Sequence, residues 1–196
     1  RCIFWEEEKM LIISDPHFGK TGHFRKAGIN VPQKSFQEDL LRLFEVIQYF
    51  GPRVLLINGD LFHSGYNKEI DYFFRWRNYI KDLEIILVKG NHDTFDNTLY
   101  TKEGIIVYPE TYQINEFCFT HDSGTATTDS YIFSGHIHPS VRISGTGKQS
   151  LNLPCFYFGR DYAVLPAFGN FTGSVPISPI KGDTVFAITK REVIKV

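Results

Sequence analysis

The sequence lacks what would assign it to a membrane, a fibre or a disulfide-stapled fold. No apolar run approaches the roughly 20 residues of a membrane-spanning helix, and no basic-then-apolar opening resembles a secretory leader. Cysteine is scarce. Cys2, Cys118 and Cys155 are odd in number, widely spaced and without a Cys-x-x-Cys pair, which reads as buried, reduced thiols in a cytoplasmic protein. An excess of either charge is also missing: 21 basic against 22 acidic side chains leave no global field to draw in a polyanion, so only a local basic patch stays open. The 196 residues, 42% hydrophobic and 22% charged, belong to the globular class and not the disordered one. They suffice for one sizeable core. The chain opens at Arg1 without a Met, which leaves room for a preceding segment.

The excess is aromatic. Phe 18 and Tyr 10 bring the aromatic share to 15%, and such rings are expected to fill a core or the layer between two sheets. Residues 10–14 (MLIIS), 54–58 (VLLIN) and 85–88 (IILV) are short, nearly continuous apolar runs, as expected of strands covered on both faces. Between them, Phe36, Leu40, Leu43, Phe44 and Ile47 mark one face of a helix. Ser35 and Glu38 form a candidate capping box at its start, and Gly51-Pro52 ends it. Ile70, Phe73, Phe74 and Ile80 mark a second helix. Beyond Gly104 only short β-prone pieces follow, punctuated by Gly, Pro and Asn, which predicts a mostly antiparallel second sheet. No linker or repeat divides the chain, so residues 1–196 are expected to form one layered α/β domain.

The first three strand runs end alike. Ser14 leads into Asp15-Pro16-His17, Asn58 into Gly59-Asp60, and Val88 into Lys89 and Gly90-Asn91-His92-Asp93. The carboxyl ends of strands in open α/β sheets face the ligand crevice, so these residues are delivered to one place. The later β region adds Thr120-His121 and Gly135-His136-Ile137-His138. Each element alone fits a capped turn. Together, Asp15, His17, Asp60, Asn91, His121, His136 and His138 make an oxygen-and-nitrogen donor set without thiolate. That suits hard or borderline divalent ions, Mn²⁺ first, with Fe and Zn²⁺ as alternatives. A His-x-His pair on a strand places both rings on one side.

These motifs, in this order, resemble those of the calcineurin-like metallophosphoesterase superfamily. The resemblance implies a four-layer α/β/β/α sandwich of two packed mixed sheets flanked by helices. It implies one ion on Asp15, His17 and His138, a second on Asn91, His121 and His136, and Asp60 bridging both. His92 is then no ligand but the catalytic residue that stabilises the phosphate or protonates the leaving oxygen. The string Asp60-Leu61-Phe62-His63-Ser64 resembles the nuclease branch related to the Mre-eleven and SbcD proteins, where the equivalent of His63 lies near the scissile phosphate. Residues 18–32 (FGKTGHFRKAGINVP), GHIHP, 153–156 (LPCF) and 165–173 (LPAFGNFTG) resemble the bacterial PdeM-type family of ligase-associated DNA-damage-response endonucleases. An extra N-terminal strand normally precedes Arg1 in that pattern. The implied activity is two-metal hydrolysis of a phosphodiester, with DNA as the substrate, in repair, and with functional association with a DNA ligase, helicase and exonuclease. A phosphomonoesterase or nucleotide hydrolase is the first rival reading, and a metal-free binding scaffold the second.

Around these motifs the readings stay open. Residues 18–32 carry Lys20, His23, Arg25 and Lys26, either as a solvated loop or as a substrate-facing one, in which Arg25 is the better phosphate partner because a guanidinium binds in two places. His63 is a turn former or a phosphate neighbour. Asp93 is a partner of the ligands or a turn former, and 165–173 packs the sandwich or stacks a base, with packing favoured.

Overall fold

The apolar runs become a parallel sheet with one antiparallel edge. A computed structural model describes residues 1–31, 34–63, 65–125, 128–145 and 149–196; Pro32 and Ser64 lie outside the described residues. In the first sheet β1 (Ile3–Trp5) pairs antiparallel with β2 (Met10–Ile13), and β3 (Val54–Asn58), β4 (Glu84–Val88) and β5 (Ile105–Tyr108) follow in parallel. Their near-uniform hydrophobicity hides a two-residue alternation. Leu11, Ile13, Leu55, Ile57, Ile85 and Leu87 point to one face, into a core shared with Phe36, Leu43, Ile70 and Phe73. Met10, Ile12, Leu56, Ile86 and Val88 point to the other, against Phe119, Phe156 and Leu165 of the second sheet.

The helices are α1 (Lys20–Lys26), α2 (Lys34–Phe50), α3 (Lys68–Tyr79) and α4 (Asn97–Lys102). Asn67 caps α3 by accepting from the Glu69 amide at 2.9 Å, and Asp96 caps α4 by accepting from the Thr98 amide. Ser35 lies inside α2, and Glu38 is turned to Lys34 at 3.4 Å, so the expected box does not form there. The sequence reading missed α1 and α4. Glycines at 19, 22 and 28 conceal α1, and it is held from a distance: buried Glu69 accepts from Thr21 Oγ1 at 2.5 Å and from Arg25 at 2.7 Å.

The second sheet is built from β6 (Thr111–Ile114), β7 (Phe117–Thr120), β8 (Tyr131–Ser134), β9 (Pro139–Ser144), β10 (Ser150–Phe158), β11 (Tyr162–Val164), β12 (Val175–Pro176), β13 (Thr184–Ile188) and β14 (Val193–Lys195). The order is β12-β9-β10-β11-β8-β7-β6, with β13 joining β10 to β14. It is mixed: β8 runs parallel to both β7 and β11, and β12 parallel to β9, while the other pairs are antiparallel. Aromatic rings fill the layer between the sheets, with Phe119 stacked on Phe133 at 5.2 Å and Trp5 edge-on to Phe117. The outer face of this sheet carries Val141, Cys155, Val185 and Ala187. The architecture is two packed mixed sheets with flanking helices. No helix among the described residues is long and apolar enough to cross a membrane.

Candidate functional site

Register brings the motifs together. Ile13 pairs with Ile57 and Asn58 with Val88, so the chain leaves β2, β3 and β4 at one end of the sheet. The loops then bond to one another: the Asp15 amide donates to the Gly59 carbonyl at 3.1 Å and the His17 amide to the Asp60 carbonyl at 2.9 Å. Asn58, fully buried, reaches across the two sheets and donates to the Thr120 and Phe133 carbonyls at 3.0 and 3.1 Å. It thereby registers the His121 and His136 segments on the first sheet. The sequence offered no signal for this bridging role.

The backbone is unusual where the donors sit. Asp15, His17, Asp60, His136 and His138 all have φ between 50 and 65°, a left-handed conformation that non-glycine residues seldom adopt and that clusters at functional sites. His136 and His138 are therefore not on a strand, as the His-x-His spacing predicts, but in a turn after β8, closed by the Ile137 amide on the Gly135 carbonyl at 2.8 Å. The turn sends the two rings to different neighbours: His136 Nδ1 lies 3.0 Å from His121 Nε2, and His138 Nε2 lies 3.2 Å from Asp15 Oδ1. Gly135 is obligatory because a Cβ there would strike Ser14 Oγ and Asp15, and Gly90 because one would strike Asp60.

The donors form two overlapping groups, Asp15–His17–His138 and Asp15–Asp60–His121, each with donor atoms all within 4.8 Å of one another. Asn91 joins the second, its Oδ1 2.9 Å from His121 Nε2. Asp60 is central, with Oδ2 3.7 Å from His17 Nε2 and 3.5 Å from His121 Nε2. Burial governs the charges. It pushes the Asp60 carboxyl up to about 8 against the hydrogen bond from the His92 amide. It depresses His17 to about 2 and lowers His121. Burial opposes ionisation of Asp15 as well, but the close imidazoles of His138 and His121 and the Ser14 hydroxyl outweigh it and hold the carboxyl below its ordinary value.

This donor set fits divalent metal. Asp15 Oδ1 and His121 Nδ1 are buried without a hydrogen-bond partner, and imidazole nitrogens lie 3.2–3.9 Å from carboxylate oxygens and 3.0–3.3 Å from one another. Such crowding of lone pairs is costly unless a cation receives them. Asp15 Oδ2 is already committed, accepting from Ser14 Oγ at 2.6 Å and from the His136 amide at 3.1 Å, which leaves Oδ1 as the inward donor.

His92 stands outside both groups. Its ring lies 4.3 Å from that of His63 and 5.4 Å from that of His17, and burial followed by the charge of Lys20 lowers its pKa. His63 Nδ1 lies 3.3 Å from His17 Nδ1, and burial followed by Lys20 brings it to about 4. Asp93 knits two motif loops, accepting from the amides of Gly90, Leu61 and Phe62 and from the Tyr100 hydroxyl; burial raises it to about 6. Arg25, expected to meet phosphate, has partners within the chain. Its guanidinium is paired with Glu69 at 2.7 Å and also donates to the Val31 carbonyl, so its charge is spent on seating α1. The cation that faces the site is Lys20, the first residue of α1, whose pKa is lowered by burial and raised by the charges of Asp60 and Asp15. Residues 165–173 pack, as favoured: the Phe168 and Gly169 amides donate to the Ser14 and Asp15 carbonyls at 2.7 and 3.2 Å, while Arg42 bonds the Phe168 carbonyl and lies over its ring.

Among solved structures the chain is similar to the Pseudomonas putida nuclease MPE, with a TM-score of 0.80 and 26% identity over 95% of this chain and 88% of that one. A phosphoesterase from E. coli, Yfce, matches at a TM-score of 0.49 and 16% identity over 95% and 97%. No curated protein sequence matches at a significant level. The calcineurin-like phosphoesterase family model matches residues 8–163, a span that holds every candidate donor, and the chain belongs to that metal-dependent family of phosphate-ester hydrolases.

Proposed function

We propose that the chain hydrolyses phosphodiester bonds in DNA with two divalent ions. Asp15, His17 and His138 would hold one, Asn91, His121 and His136 the other, and Asp60 both. The observation that carries the reading is the convergence of buried donors on Asp15 Oδ1, a carboxylate oxygen with no partner of its own. When bound, such ions supply Lewis acidity, neutralising phosphate charge and making a water acidic enough to attack phosphorus. The chain's own residues do the rest. Lys20 meets a phosphate oxygen with its ammonium, a charge-assisted contact. His92 delivers a proton from its ring to the departing oxygen. His63, whose ring lies 4.3 Å from that of His92 at an inclination of 33°, keeps that ring aimed.

DNA is favoured over a small monoester by the likeness to a nuclease at 26% identity. The repair setting, with a DNA ligase, helicase and exonuclease as functional neighbours, belongs to the same proposal. The test is a substrate panel with Mn²⁺ against chelator: bis-p-nitrophenyl phosphate, p-nitrophenyl phosphate, and single-stranded, nicked and duplex DNA. Metal-dependent cleavage of the diester and of DNA is expected. Cleavage of the monoester alone would replace the reading with a small-molecule phosphatase.

A further inference from the structure

The pleat of the second sheet places a cavity directly beside the candidate centre. Tyr157 pairs with Val164, and Val164 with Ser134, so all three share one face with Tyr162, two residues before Val164. That face is the outer one, because Tyr157 packs with the Cys155 and Val185 core. Immediately after Ser134 the chain turns through Gly135 into His136, and a cavity of about 320 Å³ opens between His136 and the two tyrosines. The volume lies at the lower end of the range for small-ligand sites.

The lining selects a ligand class. Tyr157 is fixed, its hydroxyl donating to Asp183 Oδ2 at 2.9 Å. Tyr162 lies against it at 5.5 Å between centroids, inclined by 41°, and remains 40% exposed. Ser123 and Ser178 bring hydroxyls to the rim, and among the described residues no lysine or arginine lines the cavity. Asp122 adds a carboxylate. A wall without cations and with an acid is a poor host for a second phosphate. Aromatic faces with hydroxyls at the edge suit a flat, uncharged, hydrogen-bonding ring. A nucleotide held by its phosphate at His136 would carry such a ring one sugar away.

We infer that this cavity is a base-binding subsite, in which the nucleobase next to the scissile phosphate stacks on Tyr162 while its edge meets the rim hydroxyls. The inference rests on the proposed phosphodiesterase activity and narrows its substrate to nucleotide esters. Base–aromatic stacking tolerates any base, so the subsite selects nucleotides over simple diesters without reading sequence.

The test compares p-nitrophenyl esters of thymidine, at the 5′ and at the 3′ phosphate, with methyl p-nitrophenyl phosphate. The wild type should favour one thymidine ester by roughly tenfold in kcat/KM, the low end of one stacked base. Tyr162→Ala should abolish the preference through KM while leaving the methyl ester unchanged, and Tyr162→Phe should keep it. Ser178→Trp, which fills the cavity from an exposed rim position, should reproduce the Tyr162→Ala result without touching the sheet. In parallel, saturation-transfer NMR of thymidine with metal-free protein should give a signal that both blocking variants lose. Diester cleavage without preference, or equal losses on both esters, would overturn the subsite and leave the activity standing. Thymidine binding that depends on Tyr162, in a protein that cleaves no diester, would overturn the activity and leave the subsite standing.

Discussion

On the side of Asp15, His17 and His138 the chain is wrapped from behind. Asp15 and His17 are buried, residues 168–169 bond the backbone of the first motif, and α2 fastens that loop through Asp39, which accepts from the Asn170 amide at 3.0 Å, and through Arg42. On the side of Asn91, His121 and His136 only His121 is buried; Asn91 and His136 are exposed, and His136 borders the tyrosine cavity. One flank is braced and the other left open, which is the division expected where a tightly held ion and an arriving substrate share one centre. Bracing fixes geometry before the substrate comes, while openness on the other side gives the substrate a way in.

The sharpest way to break the comparison is to remove what both flanks share. Asp60→Asn takes away the central charge, and turnover of any diester should fall at least about 10³-fold, several kcal/mol of lost electrostatic stabilisation. Elemental analysis of metal-loaded variant should find both ions depleted; two ions still tightly held would remove Asp60 from its bridging place. His92→Asn should leave metal content near wild type while slowing turnover by roughly 10²- to 10⁴-fold. The loss should be greater on DNA than on nitrophenyl esters, because nitrophenolate departs without a proton and an alkoxide does not. Metal lost in step with activity would make His92 a ligand or a fold element.

Two smaller effects separate the cations of α1. Lys20→Ala should lower kcat/KM on DNA by roughly tenfold, the worth of one charged hydrogen bond, with thermal stability held within about 0.5 kcal/mol. Arg25→Ala should do the reverse. It strands a buried carboxylate, and with the arginine side chain 32% exposed the cost is about 1–2 kcal/mol, or about 2–8 °C in Tm for a chain of this size. Its activity losses should be equal on DNA and on a small diester. A selective loss on DNA, steepened by salt, would return Arg25 to the substrate.

What could be read beforehand was what is local in sequence. The strands β2, β3 and β4 announce themselves as continuous apolar runs, and the motif residues follow them directly, so their meeting at one sheet end was foreseeable. Long-range pairing was not. Glu69 lies 44 residues from Arg25, and without it α1 reads as a glycine-rich loop and Arg25 as a free cation. Asn58 ties to Thr120 across 62 residues, with nothing in its neighbours to advertise the bond. The His136–His138 spacing suggested a pleat because spacing carries no sign of φ. The short α4 was missed although Asp96 was present as its cap, since six residues give too little periodicity to see.

The left-handed backbone at Asp15, His17, Asp60, His136 and His138 has a consequence for anyone wishing to move this centre to another protein. At each of these positions a side chain is held in a conformation worth about 1–3 kcal/mol of local strain, sustained by bonds between loops and by glycines that let them touch. Copying the seven donors onto ordinary helices and strands would copy the chemistry's names without its directions. The transferable unit is the set of crossed loops, and a graft that begins from those loops, adding donors afterwards, is the one expected to bind metal.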